Sequence, residues 1–272
     1  MTGVIHKTLA FLRRDFFIAT SYKFQFLFQL ASGLFIVATF YFVSRMIGPG
    51  VASAFLKPYK TDYFSFIIVG LAASGFLFTG LAGLSERVRT AMTEGSLEMM
   101  FASPTRPVLI LVMPCLWSFV FETLRAYVVI VLAVFLFGFD VTRTNFLSLT
   151  VVAVLTVLAY SAFGIVAAAL IIIFKRGDPI NWAFAHASTL LGGAYFPVEM
   201  LPAWILPVTK VLPMTYAYRG LRMTMLARAG LPEVLPEVAV LAVFAAIGLP
   251  LALVALNLAV RQAKRDGSLG SF

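Results

Sequence analysis

The sequence is short of the residues that most enzymes and all disulfide-built proteins depend on. It holds one cysteine, Cys115, so an intrachain disulfide is impossible and the redox compartment stays open. Within its apolar run Cys115 reads as a small filler of a membrane span. The two histidines, His6 and His186, lie far apart and belong to no His-x-x-x-His or Cys-x-x-Cys pattern, which leaves a metal site with little support. No lysine follows a glycine. A Walker A loop needs that pair, because backbone amides and an ammonium together cradle the phosphates, so this chain hydrolyses no nucleotide in that way. An intramembrane enzyme would need a clustered nucleophile and base or a metal, and no such cluster is evident. No catalytic residue is therefore assigned.

Charge is also scarce. Charged residues make up 12% of the 272 residues and hydrophobic ones 61%. A single soluble core of this size cannot hide that much apolar surface, so lipid must cover the excess. The net charge of +9 is no nucleic-acid footprint, since the basic residues sit in short segments between apolar runs. The first 23 residues mix charges throughout and lack a cleavable leader pattern, so the first span is expected to act as the targeting signal.

A hydrocarbon core of about 30 Å takes about 20 apolar residues per helix. The runs predict an all-α integral membrane protein, one transmembrane domain over residues 1–272, with six spans at 24–47, 63–84, 108–137, 146–174, 182–196 and 238–260. Ahead of them, Ile5, Leu9, Leu12 and Phe16 stack on one helical face with Lys7 and Arg14 opposite, which predicts an interfacial amphipathic helix over residues 1–23. In the second span Gly75, Thr79 and Gly83 recur every fourth residue and allow another helix to approach closely. Lys7, Arg13, Arg14, Lys23, Arg87, Arg89, Arg106, Lys175, Arg176, Arg261, Lys264 and Arg265 fall on one side; Lys57, Lys60, Arg143, Lys210, Arg219, Arg222 and Arg228 fall on the other. This bias predicts that both termini face the cytoplasm. Arg45, near the far end of the first span, is expected to snorkel to the interface.

Four places could carry function. Glu122 and Arg125 share a helical face three residues apart in the third span, either as a structural ion pair or as a substrate contact. His186 in the fifth span reads as an interhelical hydrogen-bonding group, with a proton relay as the sharper alternative. Between the second and third spans, residues 94–104 predict a short helix capped by Ser96, with Glu98 in its first turn and Pro104 limiting its end. Leu97, Met100 and Phe101 would share its face, a knob for a partner's groove. After the fifth span Gly192, Gly193, Pro197, Pro202, Pro207 and Pro213 break an apolar stretch too often for one helix. Two short re-entrant helices, 202–211 and 216–227 within a 197–228 region, fit better, provided protein buries their freed backbone groups. This region is expected to form the outer gate of a path, with Tyr195, Phe196, Pro197, Met200 and Tyr216 as gate residues. The same aromatics would also serve as headgroup-level anchors.

In this order on the chain, Arg14-Asp15, Ser21-Tyr22-Lys23, the connection from Glu94-Gly95-Ser96-Leu97-Glu98 to Ala102-Ser103-Pro104, and Gly193 through Phe196-Pro197, Leu201-Pro202, Pro213, Tyr216 and Arg219 resemble the permeases of ABC type-2 exporters. The resemblance implies two permease copies, most simply a homodimer, and two separate ATP-binding subunits carrying ATP and Mg, with no cofactor on this chain. It implies export from the bacterial inner membrane, with Glu94, Ser96, Leu97, Glu98, Met100 and Phe101 coupling to the ATPase. Drugs, lipids and lipid-linked glycans or polymers are the substrates of such permeases. An ion-coupled secondary carrier is the alternative, although only Glu122 lies deep in a span as its proton path would need.

Overall fold

A computed structural model describes residues 2–48, 56, 59, 61–96, 100, 107–174 and 179–265. The described elements are helices: α1 (Thr2–Ser21), α2 (Lys23–Ile47), α3 (Tyr63–Thr93), α4 (Pro107–Phe137), α5 (Phe146–Phe174), α6 (Pro179–Leu191), a 3₁₀ turn (Val198–Met200), α7 (Leu206–Val211), α8 (Pro213–Leu226) and α9 (Leu235–Arg265). Five of them are long and apolar enough to cross a bilayer: α2, α3, α4, α5 and α9.

The expected fifth span is where the outcome differs. Instead of one helix over 182–196, α6 ends at Leu191, and its 13 residues rise only about 20 Å. Gly193 stops it, turning back with φ +87, a left-handed conformation that side chains resist. Elsewhere the expected bounds shift by a few residues, except that α3 continues as a helix to Thr93 rather than ending near 84.

The centre of the bundle is α5, which packs most extensively on α9 and α3. Asn145 opens it, its side-chain oxygen accepting the Ser148 amide at 3.2 Å in the manner of an N-cap. Small buried residues, among them Ala159, Ala162, Ala168 and Ala169, then let neighbouring helices come close. The backbone of α3 at Gly80 lies directly on Gly164. This α3–α5 seam, rather than the Gly75, Thr79, Gly83 stripe, is where small residues bring two helices of the chain together.

Two apolar clusters fill the bundle. One joins Leu84, Val88 and Met92 of α3 to Ile165, Ile172, Leu256 and Val260 at the end where α3, α5 and α9 finish. It is the basic end, carrying Arg87, Arg89, Arg261, Lys264 and Arg265. The other cluster occupies the opposite half, where Met214, Ala217, Tyr218 and Leu221 of α8 pack on Phe66, Val152 and Tyr160. The short helices α7 and α8, of 6 and 14 residues, are not among those long and apolar enough to cross a bilayer. Helix α1 lies against α4, with Phe16 edge-on to Trp117 at 5.8 Å.

Candidate functional site: a polar cleft and a clamped broken segment

Packing along the stripe of Gly75, Thr79 and Gly83 leaves a cleft between α2, α3 and α4. Two cavities make it, of about 990 and 730 Å³, and they share Gln29, Thr79, Arg87, Ser118 and Glu122. Together they run from Tyr195 to Asp15 and Glu94 at the basic end. The small residues set its width: an added side chain at Gly83 would meet nothing within 4 Å, whereas at Gly75 it would collide with the Glu122 carboxylate.

Glu122 is the cleft's buried acid, 7% exposed, and Arg125 Nη1 stands 3.6 Å from its Oε2. Beside them, Arg87 reaches Ser118 Oγ at 3.4 Å and Asp15 Oδ2 at 3.8 Å. Asp15 is itself buried, and its Oδ1 accepts from Arg14 Nε at 2.8 Å. Acids and cations therefore lie side by side in the cleft, and its two buried acids, Asp15 and Glu122, each have a guanidinium partner, as charges in a low-dielectric setting require.

At the cleft's far end the chain leaving α6 is fixed by a side chain that the charge count had placed in a loop. Arg222 of α8 is 2% exposed. It donates to the carbonyls of Gly193 and Ala194 at 2.7 Å each and to Phe66 at 3.1 Å. Its guanidinium also lies over the Phe66 ring, 3.4 Å from the centroid. No carboxylate is among these contacts; carbonyl dipoles where α6 ends and an aromatic face balance the cation. An added side chain at Gly70 would drive into Ala194 O, so this glycine makes room for the clamp. Next to it, Tyr218 and Ser74 share a hydroxyl hydrogen bond of 2.6 Å. Arg219, one residue away on α8's other side, pairs with buried Glu237 at 3.1 Å.

The expected gate residues separate here. Tyr195 lines the cleft and stacks on Phe40 at 6.1 Å. Phe196 is half-buried, Pro197 is buried just before the 3₁₀ turn, and Met200, its last residue, is 46% exposed. Tyr216 turns away, its hydroxyl donating to Lys210 O at 2.9 Å. His186 packs on rings, 4.4 Å from Trp182 and 5.3 Å from Phe78 between centroids. Arg45 lies over Tyr41 at 5.7 Å.

Of the expected coupling residues, Leu97, Glu98 and Phe101 lie outside the described residues. Glu94 closes α3, its amide donating to Thr90 O at 2.9 Å, and its side chain lines the cleft. Ser96 donates to Ala91 O at the same helix end at 3.3 Å, and the amides it is expected to cap lie outside the described residues. Met100 is half-buried against the cluster at the basic end, so only part of it is on offer to a partner.

A multi-pass helical bundle with a charged cleft along its flank and a clamped, broken segment at one end is the membrane part of a transporter. The model of the ABC-2 type transporter family matches residues 6–226, and the chain belongs to that family. It is thus the transmembrane component of an ABC-type permease, a component that lacks nucleotide-binding motifs, and the family implies an ABC ATP-binding partner. No curated protein matches the chain.

Proposed function

We propose that the chain is the permease of an ATP-driven exporter in a bacterial inner membrane, working as a homodimer with two ATP-binding subunits that carry ATP and Mg. The cleft is the observation that supports this reading. It is open on a flank of the bundle, lined by both charges and small residues, and runs from the basic end to Tyr195. Two copies facing each other across their clefts would enclose one path.

The excess of Lys and Arg at the end of α3, α5 and α9 supports a cytoplasmic location for that end and for both termini. The 94–104 connection then meets the ATP-binding subunits there. On the other side, α6 with the turn to Phe196 makes the sixth crossing and α7 and α8 the re-entrant pair, because the clamp by Arg222 satisfies the backbone freed where α6 stops. A path of mixed charge beside apolar walls suits an amphipathic cargo: a drug, a lipid or a lipid-linked glycan.

The test is purification of the chain with candidate ATP-binding subunits, reconstitution into vesicles, and transport assayed with and without ATP. ATP-dependent export by the complex supports the reading. Transport by the chain without the ATPase, driven by a proton gradient and lost in Glu122→Gln, would replace it with the ion-coupled carrier that a buried cleft acid also suits.

A further inference from the structure

Across the α3–α4 contact from the cleft, with Ala72 and Ala126 lining both, α3, α4, α5 and α8 leave a second opening of different character. It is a slot of about 470 Å³ with almost wholly apolar walls, including Ala73, Ala126, Ile130, Ala153 and Leu221. Its size falls in the range of small-molecule sites. Three residues at its rim, Tyr127, Phe135 and Phe146, are 65%, 82% and 71% exposed, so it opens sideways toward lipid. Along α4 the lining extends from Thr123 to Phe135. At about 1.5 Å per residue this is about 18 Å. One leaflet of a core about 30 Å thick is about 15 Å deep, so the slot is as deep as one acyl chain is long.

Directly beside the slot lies a polar pocket of about 430 Å³ lined by Thr61, Asp62, Ser65, Asp140 and Arg143. The two are neighbours through consecutive residues: Val141, Thr144 and Met225 line the slot, Asp140, Arg143 and Leu226 the pocket. The loop between them is held in place, since the Asn145 amide donates to Thr224 O at 2.9 Å. It joins the end of α4 to the start of α5, which puts the pocket at the level of the headgroups and the slot at the level of the tails. Arg143 and Asp140 stand 3.6 Å apart with side chains 59% and 53% exposed, a pair weak enough for each to take another partner. Hydrogen bonds from the Thr142 hydroxyl and amide hold the Asp140 carboxyl below the usual carboxylate range.

We propose that slot and pocket form a binding site for one bilayer phospholipid with an aminophosphate headgroup, its acyl chain in the slot, its phosphate on Arg143 and its ammonium on Asp62 and Asp140. The charge count selects this headgroup. Two carboxylates and one guanidinium favour a group bearing both signs over an anionic one, and a primary ammonium donates hydrogen bonds to carboxylates where a trimethylated one cannot. The site does not depend on the proposed transport function; it needs only that the chain sits in a bilayer.

Native mass spectrometry of the purified full chain, delipidated in detergent and offered equal phosphatidylethanolamine and phosphatidylglycerol, reads the site directly. One phosphatidylethanolamine per chain should be retained, preferred over phosphatidylglycerol by at least about tenfold. Ala153→Phe, which fills the slot, should abolish retention. Arg143→Gln should cut retention of both lipids, because both carry the phosphate, whereas Asp140→Asn should cut retention of phosphatidylethanolamine and shrink the preference; both side chains are exposed, so their change leaves the bundle intact. Equal or greater retention of phosphatidylglycerol by the wild type would overturn the proposal. So would unchanged retention in the two headgroup variants, which decides the matter even if Ala153→Phe fails to fold.

Discussion

Arg222 shows how much one side chain can hold in place. Its three carbonyl acceptors belong to α3 and to the turn after α6; Phe66 O lies within the helical ladder of α3, so removing Arg222 chiefly takes away the partner of the Gly193 and Ala194 carbonyls. Each buried unpaired carbonyl costs about 1–3 kcal/mol, and Arg222→Met should therefore lower the melting temperature of the purified chain markedly. Arg222→Lys should rescue little, because an ammonium lacks the planar fork that reaches several carbonyls at once. Full stability of the lysine variant in a thermal-shift assay would show that charge alone suffices there. The position was legible in principle: Met214, Tyr218, Leu221, Arg222 and Met225 share one helical face, and four of the five are apolar or aromatic. Counting charges by loop hid that, since the method assigns a side without asking which face a residue is on. Glu122 and Arg125 were legible because a spacing of three within one helix fixes a shared face without any tertiary knowledge. Removing one partner of a buried pair is commonly worse by about 3–5 kcal/mol than keeping both, less here because Arg125 is partly exposed. Glu122→Gln should accordingly impair transport more than Glu122→Gln combined with Arg125→Gln, and equal, additive losses in a double-mutant cycle would show that the two act separately.

Among the elements, long spans were read closely because an uninterrupted apolar run leaves a helix in lipid no alternative. The exceptions are instructive. Helix α3 runs past its apolar part to Thr93, where Glu86, Arg87 and Arg89 are as helix-compatible as the span before them. Hydropathy marks where lipid ends and not where the helix does. Helix α6 failed in the opposite sense, since its apolar run continues to Phe196 while the backbone turns at Gly193. The cleft itself could not be read, because Gln29, Thr79, Arg87, Ser118 and Glu122 come from three helices whose pairing no local pattern specifies. For the 94–104 connection, Met100 is half-buried on the basic-end cluster while Glu94 lines the cleft, so this segment touches both the core and the path. In the proposed complex, a partner docked on this segment would act on α3. Replacing Met100 and Phe101 by Asp should leave the chain inserted but uncouple or release the ATP-binding subunit, measured by co-purification and by ATP-driven transport. Normal transport by that variant would move the docking surface elsewhere.

At the scale of the molecule, the two flanks of the bundle face different solvents. The slot flank presents apolar walls and suits lipid, whereas the cleft flank carries Asp15, Arg87, Glu122 and Arg125, which hydrocarbon would not tolerate uncovered. In the proposed homodimer a second copy would cover the cleft flank and keep its interior wet. Gly83 offers the sharpest test, because it lines the cleft and an added side chain there meets nothing within 4 Å. In a background with Cys115→Ala, Gly83→Cys should fold and transport normally. Reaction with a bulky thiol reagent should then block export while ATP binding by the partner persists. Leu124→Cys, 41% exposed on the same helix as Glu122 but absent from the cleft lining, is the control whose labelling should leave transport unchanged. If labelled Gly83→Cys exports at the unlabelled rate, substrate does not pass through the cleft, and the charged flank must instead be an interface held shut by its own ion pairs.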